Sequence, residues 1–241
     1  MQCGEECDDG NTEAGDGCSS DCRYEDNFWL GRQFCTLTQG AWGAPNGIAN
    51  GPNGFLTLHP GILPVTIGGP GRSTTLHTVA ALTAYMPKGG PPQRRLLWGT
   101  RDLYTADDVN NNDDGAGVLA GQTVSLALAV ALSGDLNLDE DRLGNLILPT
   151  VSFCTQGLTA GGDGILGTSD DQLDAESQVA GPFLVPSGIA VTNNTVNVLL
   201  AMSNQHLRGV TQAVAPSDIN QGIDTINQAF DGCRRVVLCS P

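Results

Sequence analysis

The sequence predicts an α+β protein in two parts, a small disulfide-rich module over residues 1–26 and a larger mixed domain over residues 27–241. Three observations predict it. Composition changes near Asp26, from Cys, Gly, Asp, Glu, Asn and Ser to a chain carrying Val, Leu, Ile and Ala. The cysteines fall into two groups, one on each side of that change. Beyond it, apolar spacing alternates between strand-like and helix-like, giving short strands and about three to four helices.

The first module has almost no aliphatic side chain, so no hydrophobic core forms there and covalent or metal links must hold it. Phe28, Trp29, Leu30 and Phe34 then open the apolar domain. Phe55 to Ile67 alternates loosely between apolar and polar residues, with Gly and Pro at both ends, which reads as one or two short strands. Thr75 to Tyr85 fits helix or strand equally and stops before Pro87, Pro91 and Pro92. Thr123 to Leu132, rich in Ala and Leu and apolar almost all round, reads as a buried helix stopped by Ser133-Gly134. Leu146 to Phe153, beside Cys154, reads as a core strand, and Phe183 to Val191 as another. Thr195 to Leu207 has helical spacing, with Asn194 as cap and Gly209 beyond its end. Ser217-Asp218 precedes Ile219, Ile223, Ile226 and Phe230, the stripe of an amphipathic helix ending at Asp231-Gly232. A short strand, Val236 to Leu238, closes the chain.

Cys3, Cys7, Cys18 and Cys22 form the first cysteine group, and Cys35, Cys154, Cys233 and Cys239 the second. An even count suits disulfides and an oxidising compartment. Zinc templates do not fit, because no Cys-x-x-Cys pair has a partner pair and His59, His77 and His206 lack ligand spacing. Connectivity is open at this stage; pairing Cys35 with either tail cysteine would close almost the whole domain.

Asp and Glu number 26 against 11 Lys and Arg, a formal net charge of -15. A polyanion such as nucleic acid needs a basic footprint that this balance lacks. Lys88 is the only lysine, which excludes repeated lysine crosslinks. No window reaches the roughly 18 apolar residues of a membrane span, the longest candidate being Val124 to Leu132, so none is expected. Met1-Gln2-Cys3 reads as a mature or trimmed start, with the export leader removed or omitted, and the expected location is extracellular or at the cell surface.

The run from Gly4 to Glu25 contains Gly4-Glu-Glu-Cys7-Asp-Asp-Gly-Asn11-Thr, then Gly15-Asp-Gly-Cys18-Ser and Cys22. It resembles the Myxococcus cysteine-rich repeat family, whose members share G-E-x-C-D-D-G-N-T, then G-D-G-C-S, then a further cysteine. The resemblance covers residues 3–25, about a tenth of the chain, and departs from the family in the short spacing of Cys3 and Cys7. It implies an extracellular module of a bacterial surface protein. Cys35-Thr-Leu-Thr-Gln-Gly-Ala-Trp42 is similar to the opening of a bacterial exported domain that later carries an alanine- and leucine-rich helix like Gly121 to Leu132. That second resemblance implies no function.

Ca²⁺ takes six to eight hard oxygens from carboxylates, amides and carbonyls, which turns rich in Asp, Asn and Gly present readily. Four segments have that composition: Asp8, Asp9, Asn11 and Asp16; the run Asp107, Asp108, Asn110, Asn111, Asn112, Asp113 and Asp114; Asp135, Asn137, Asp139 and Asp141; and Asp163, Asp170, Asp171 and Asp174. The third alternates like the start of an EF-hand loop, but Glu140 replaces the central glycine and Leu146 the closing glutamate. Against calcium stands the ordinary role of Asp and Asn as turn formers in solvated loops.

Catalytic signatures are missing: there is no Gly-x-Ser-x-Gly, and Gly68-Gly-Pro-Gly-Arg72 lacks the Lys-Ser/Thr ending of a phosphate loop. Arg94-Arg95 and Arg234-Arg235 are the only basic pairs, and the first is a candidate contact for an acidic neighbour. The expectation is a non-enzymatic extracellular structural or adhesive module with Ca²⁺-binding acidic loops, whose partners are other copies of itself, in a fibre or coat, or other cell-surface components. The alternative is a secreted module that binds or hydrolyses glycans at its acidic loops.

Overall fold

A computed structural model describes residues 30–136, 142–191 and 194–239. The four cysteines and four Ca²⁺ candidates of residues 1–26, and Asn137, Asp139 and Asp141, lie outside these residues. Among the described residues the chain is α+β, with eight strands and seven α-helices.

Five strands form one antiparallel sheet. β1 (Gln33–Phe34) pairs with β8 (Arg234–Val237), and β8 with β5 (Phe153–Thr159). β6 (Gln172–Leu173) and β7 (Ala180–Phe183) share the far edge of β5. The last strand in sequence thus lies inside the sheet, between the first strand and the middle of the chain. The second sheet joins β2 (Val65–Gly69) and β3 (Arg72–Leu76) as an antiparallel hairpin. β4 (Gly99–Leu103) then runs parallel to β3, reached through α3 (Val79–Tyr85).

α5 (Val118–Asp135) is the central helix, packed against α6 (Val196–Leu207), α7 (Pro216–Ala229), β2 and α1 (Gln39–Gly43). It runs through Ser133-Gly134, where the sequence reading stops it. The Ser133 hydroxyl accepts the Leu143 amide at 2.8 Å, and Leu136 N–H bonds to Leu132 at 2.9 Å, so packing overrides the glycine signal. At 18 residues with mean hydropathy 1.4, α5 is long and apolar enough to cross a membrane by length and composition, a test that the buried core helix of a globular domain also passes. Within the protein, 67% of it is buried, so its apolar surface is already covered.

Other expectations are corrected locally. Phe55 to Ile67 forms a helical turn, α2 (Phe55–Leu58), and a 3-10 turn, Pro60–Ile62, before β2 begins. Leu146 to Phe153 is not a strand; Ile147 makes one bridge to Thr195, and the strand beside Cys154 is β5. Only the start of Phe183 to Val191 is extended, as the end of β7. The cap of α6 is Thr195, whose hydroxyl accepts the Val198 amide at 3.4 Å, while Asn194 uses its side-chain amide to bond Ile189 O.

Two disulfides clamp the domain: Cys35–Cys233, separated by 198 residues, and Cys154–Cys239, separated by 85. Both end beside β8. Phe34 meets Phe230 edge-on at 4.9 Å next to the first bridge, and Trp42 is fully buried one turn into α1. The Cys35 to Trp42 segment is therefore a core and crosslink segment.

Candidate functional site

The acidic segments are separated by the fold. In residues 161–174, each described carboxylate accepts a nearby hydrogen bond. Asp163 accepts the Ile165 amide at 2.8 Å, and Asp174 that of Glu176 at 2.9 Å. Asp170 accepts the Thr168 hydroxyl at 2.6 Å, the largest influence holding its carboxyl below the usual range. Asp171 is buried and takes the Gly161 and Gly167 amides at 3.3 and 2.6 Å. Burial pushes its carboxyl up against the lowering effect of those amides.

The run from Asp107 to Asp114 divides three ways. Asp108 closes a capping box with Thr105 at the start of α4 (Ala106–Asn111), and Asp107 lies in the same first turn. Asn110 and Asn111 end that helix, Asn112 caps it, and Asp113 accepts the Gly115 amide at 2.9 Å. Asp114 turns inward, where it meets the Lys88 ammonium. Asp135 ends α5 and binds His59 Nδ1 through Oδ2 at 2.6 Å. Among the described residues no group of three or more His, Cys, Asp or Glu side chains is placed to hold a metal ion.

His59 and His77 each pair with a carboxylate, a relation the sequence does not reveal. His77 Nε2 lies 2.8 Å from Asp102, and its ring stacks on Tyr104 at 4.1 Å. His206 is buried in the last turn of α6; desolvation, with the nearby Arg95 charge, lowers its pKa despite a bond from Nε2 to Gln93 O. A paired imidazole is oriented, but hydrolysis also needs a nucleophile within reach and an oxyanion donor set.

The three-stranded sheet builds a surface that sequence reasoning missed. Val65, Ile67, Thr74, Leu76 and Leu103 are buried on one side, where α5 and α6 pack against β2. Period-two alternation places Thr66 on β2, Ser73 and Thr75 on β3, and Thr100 and Asp102 on β4 on the opposite side. Thr66 and Thr75 hydroxyls meet at 2.9 Å. An exposed aromatic flanks each end of β4, Trp98 (74% exposed) before it and Tyr104 (51%) after it. The run Trp98-x-Thr100-x-Asp102-x-Tyr104 was a readable alternation, but its meaning depends on which side the core covers.

Arginines surround the Trp98 end. The Arg72 guanidinium lies over the indole at 4.6 Å and donates to Leu96 O at 2.7 Å. Arg101 reaches Leu97 O and Trp98 O at 3.2 and 3.5 Å. Arg208, capping α6, passes so close to the β2–β3 turn that a Cβ on Gly69 would lie 3.0 Å from its Cδ. Among the described residues, the ion pairs are His59–Asp135, His77–Asp102 and Lys88–Asp114, so none of these arginines has a carboxylate partner.

The fold defines a disulfide-clamped α+β protein with two small sheets around a buried helix. Neither the protein-family models, nor the curated proteins, nor the solved structures contain a match to the chain.

Proposed function

We propose that the chain is an extracellular structural or adhesive module of a bacterial surface, working by binding rather than catalysis and joined to other surface components or to copies of itself. The observation that carries this reading is the Cys35–Cys233 bridge, which ties the start of the described domain to its end, with Cys154–Cys239 fastening the middle to the tail. Such crosslinks persist outside the reducing cytosol. They suit a domain exposed to shear and proteases.

Calcium uptake by the acidic loops belongs to the same reading. Asp163 and Asp170 are exposed in one loop, with the Asp163 amide 3.4 Å from the Asp170 carboxylate, and Asp135 opens the third acidic segment. A second reading, glycan binding, is favoured by the open sheet face between Trp98 and Tyr104. Aromatic rings at both ends with hydroxyls between them suit the apolar faces and hydroxyl groups of sugars.

The test uses protein harvested from its native cells, alkylated without reductant. Peptide mapping is expected to return the two bridges from the medium or cell-surface fraction. Recovery of all thiols alkylated, or of the protein in the cytosol alone, overturns the extracellular reading. The same preparation is expected to melt higher in excess Ca²⁺ than in EGTA, by about 2.7 kcal/mol of stabilisation at a hundred times Kd. Identical melts remove calcium from the proposal.

A further inference from the structure

Both described disulfides join segments of the five-stranded sheet, through Cys154 of β5 and through residues that flank β1 and β8. The strands of the three-stranded sheet carry no cysteine. On its covered side, at Thr74, the chain's sole lysine meets a buried carboxylate. Lys88 follows α3, and Asp114, 26 residues on, precedes α5. Each is pinned by its own backbone. The Lys88 amide donates to Gln39 Oε1 at 2.9 Å, and the Asp114 carbonyl accepts the Leu97 amide at 2.7 Å. Lys88 Nζ donates to Asp114 Oδ1 and lies 4.3 Å from the centre of the Tyr85 ring. Oδ2 accepts the Tyr85 and Thr74 hydroxyls at 2.6 and 3.2 Å. A primary amine, a carboxyl and two donors on the second carboxyl oxygen therefore share one dry site.

We propose that Lys88 and Asp114 close an isopeptide bond between Nζ and Cγ, a covalent clamp that ties the end of α3 to the start of α5. The ammonium first passes one proton to Oδ1, giving a neutral amine beside a neutral acid; a dry site makes this minor state cheaper to reach than water does. The Nζ lone pair then attacks Cγ, and the carbonyl π pair moves onto Oδ2, where the Tyr85 and Thr74 hydroxyls already point. A second proton passes from Nζ to Oδ1, the Cγ–Oδ1 bond breaks, Oδ1 leaves as water, and the pair on Oδ2 returns to form the amide carbonyl. One ammonium and one carboxylate become one amide and one water, with no change in net charge and no co-reactant. Burial pushes the Tyr85 phenol well above its ordinary range, so it keeps the proton it donates throughout. Two groups held in contact react as if at roughly 10⁵ M or more, which suits a bond that forms once and needs no turnover. The ion pair is the starting state, and its titration is that of the unreacted protein; once the amide closes, neither group titrates and neither charge is left buried. The ring so formed encloses β4 and α4, the part of the fold that no described disulfide fastens. The bond stands without the extracellular reading, since the reaction proceeds in any compartment.

Mass spectrometry of the full chain tests this, on samples reduced and denatured at intervals during incubation of the native protein at neutral pH, until the mass stops changing. The final mass is expected to lie one water below that of the sequence. Trypsin, which cuts after a free lysine, should then pass over Lys88 and return one branched peptide joining residues 73–94 to 102–142. Lys88→Arg, which keeps the charge and removes the amine, should hold the full mass, as should Asp114→Ala. Tyr85→Phe is expected to slow the loss of water about a hundredfold, the usual effect of removing one oxyanion donor. A full mass with cleavage after Lys88 overturns the inference and leaves an ion pair. Loss of water with Lys88 still cleaved also overturns it, because the dehydration then belongs to an aspartyl imide, as at Asp114-Gly115. The wild-type mass and peptide map decide the question even where a substituted chain fails to fold.

Discussion

Burying a carboxylate costs several kcal/mol unless other groups replace its water, and Asp114, 1% exposed, has four such groups. Lys88, the sole lysine, donates to Oδ1 along with the Ala116 amide at 3.1 Å. Tyr85 and Thr74 hydroxyls donate to Oδ2 at 2.6 and 3.2 Å. Burial raises the Asp114 pKa, but the Lys88 charge and these donors outweigh it and hold the carboxyl below its usual range. Burial, with the same carboxylate, pushes the Tyr85 phenol well above its own. A depressed carboxyl contributes stability that is present above its unfolded pKa and lost as pH falls through the native value. Asp114→Asn is expected to lose about 3–5 kcal/mol at pH 7 in urea unfolding, because it strands the Lys88 charge. The difference from wild type should shrink below about pH 4, where the unfolded carboxyl takes up its proton. A loss under 1 kcal/mol at pH 7 would sink the assignment. Sequence alone placed Asp114 in a calcium cluster because six neighbours share its chemistry; only the fold shows that it points inward.

Helices α6 and α7 were legible because their stripes, caps and glycine stops agree, whereas α5 was legible only in its middle. It is apolar all round, so no period marks its ends, and both glycines within it read as boundaries. Their surroundings now separate them. A Cβ on Gly134 meets nothing within 4 Å, while one on Gly121 would lie 1.9 Å from Gln39 Oε1, which accepts the Lys88 amide at 2.9 Å. Gly134→Ala is therefore expected to stabilise by about 0.5–1 kcal/mol through helix propensity. Gly121→Ala should destabilise by roughly 1–3 kcal/mol through overpacking. Matched urea curves giving both the same sign would contradict this packing of α5 against α1. The candidate glycan face was hidden for a related reason: it needs β4 beside β3 across the α3 crossover, and pairing at that separation leaves no local pattern.

At the scale of the molecule, β8 holds the domain closed. It pairs with β1 and β5 at once, and each disulfide joins its flank to one of those neighbours' segments. The larger sheet is incomplete until Arg234–Val237 pair with both β1 and β5, so the loops being closed are long. In the chain-entropy model, loops of 198 and 85 residues are worth roughly 5.3 and 4.6 kcal/mol to the native state. A domain near the middle of the ordinary range, about 10 kcal/mol, would survive losing one bridge but not both. Cys35→Ser with Cys233→Ser, and separately Cys154→Ser with Cys239→Ser, should each remain folded by circular dichroism and unfold at lower urea. Full reduction of the wild type should cost more than either pair. If reduction moves the midpoint by less than the equivalent of about 1 kcal/mol, the strand ladder and core alone hold β8 in place, and the crosslinks are not the clamp on which the extracellular reading depends.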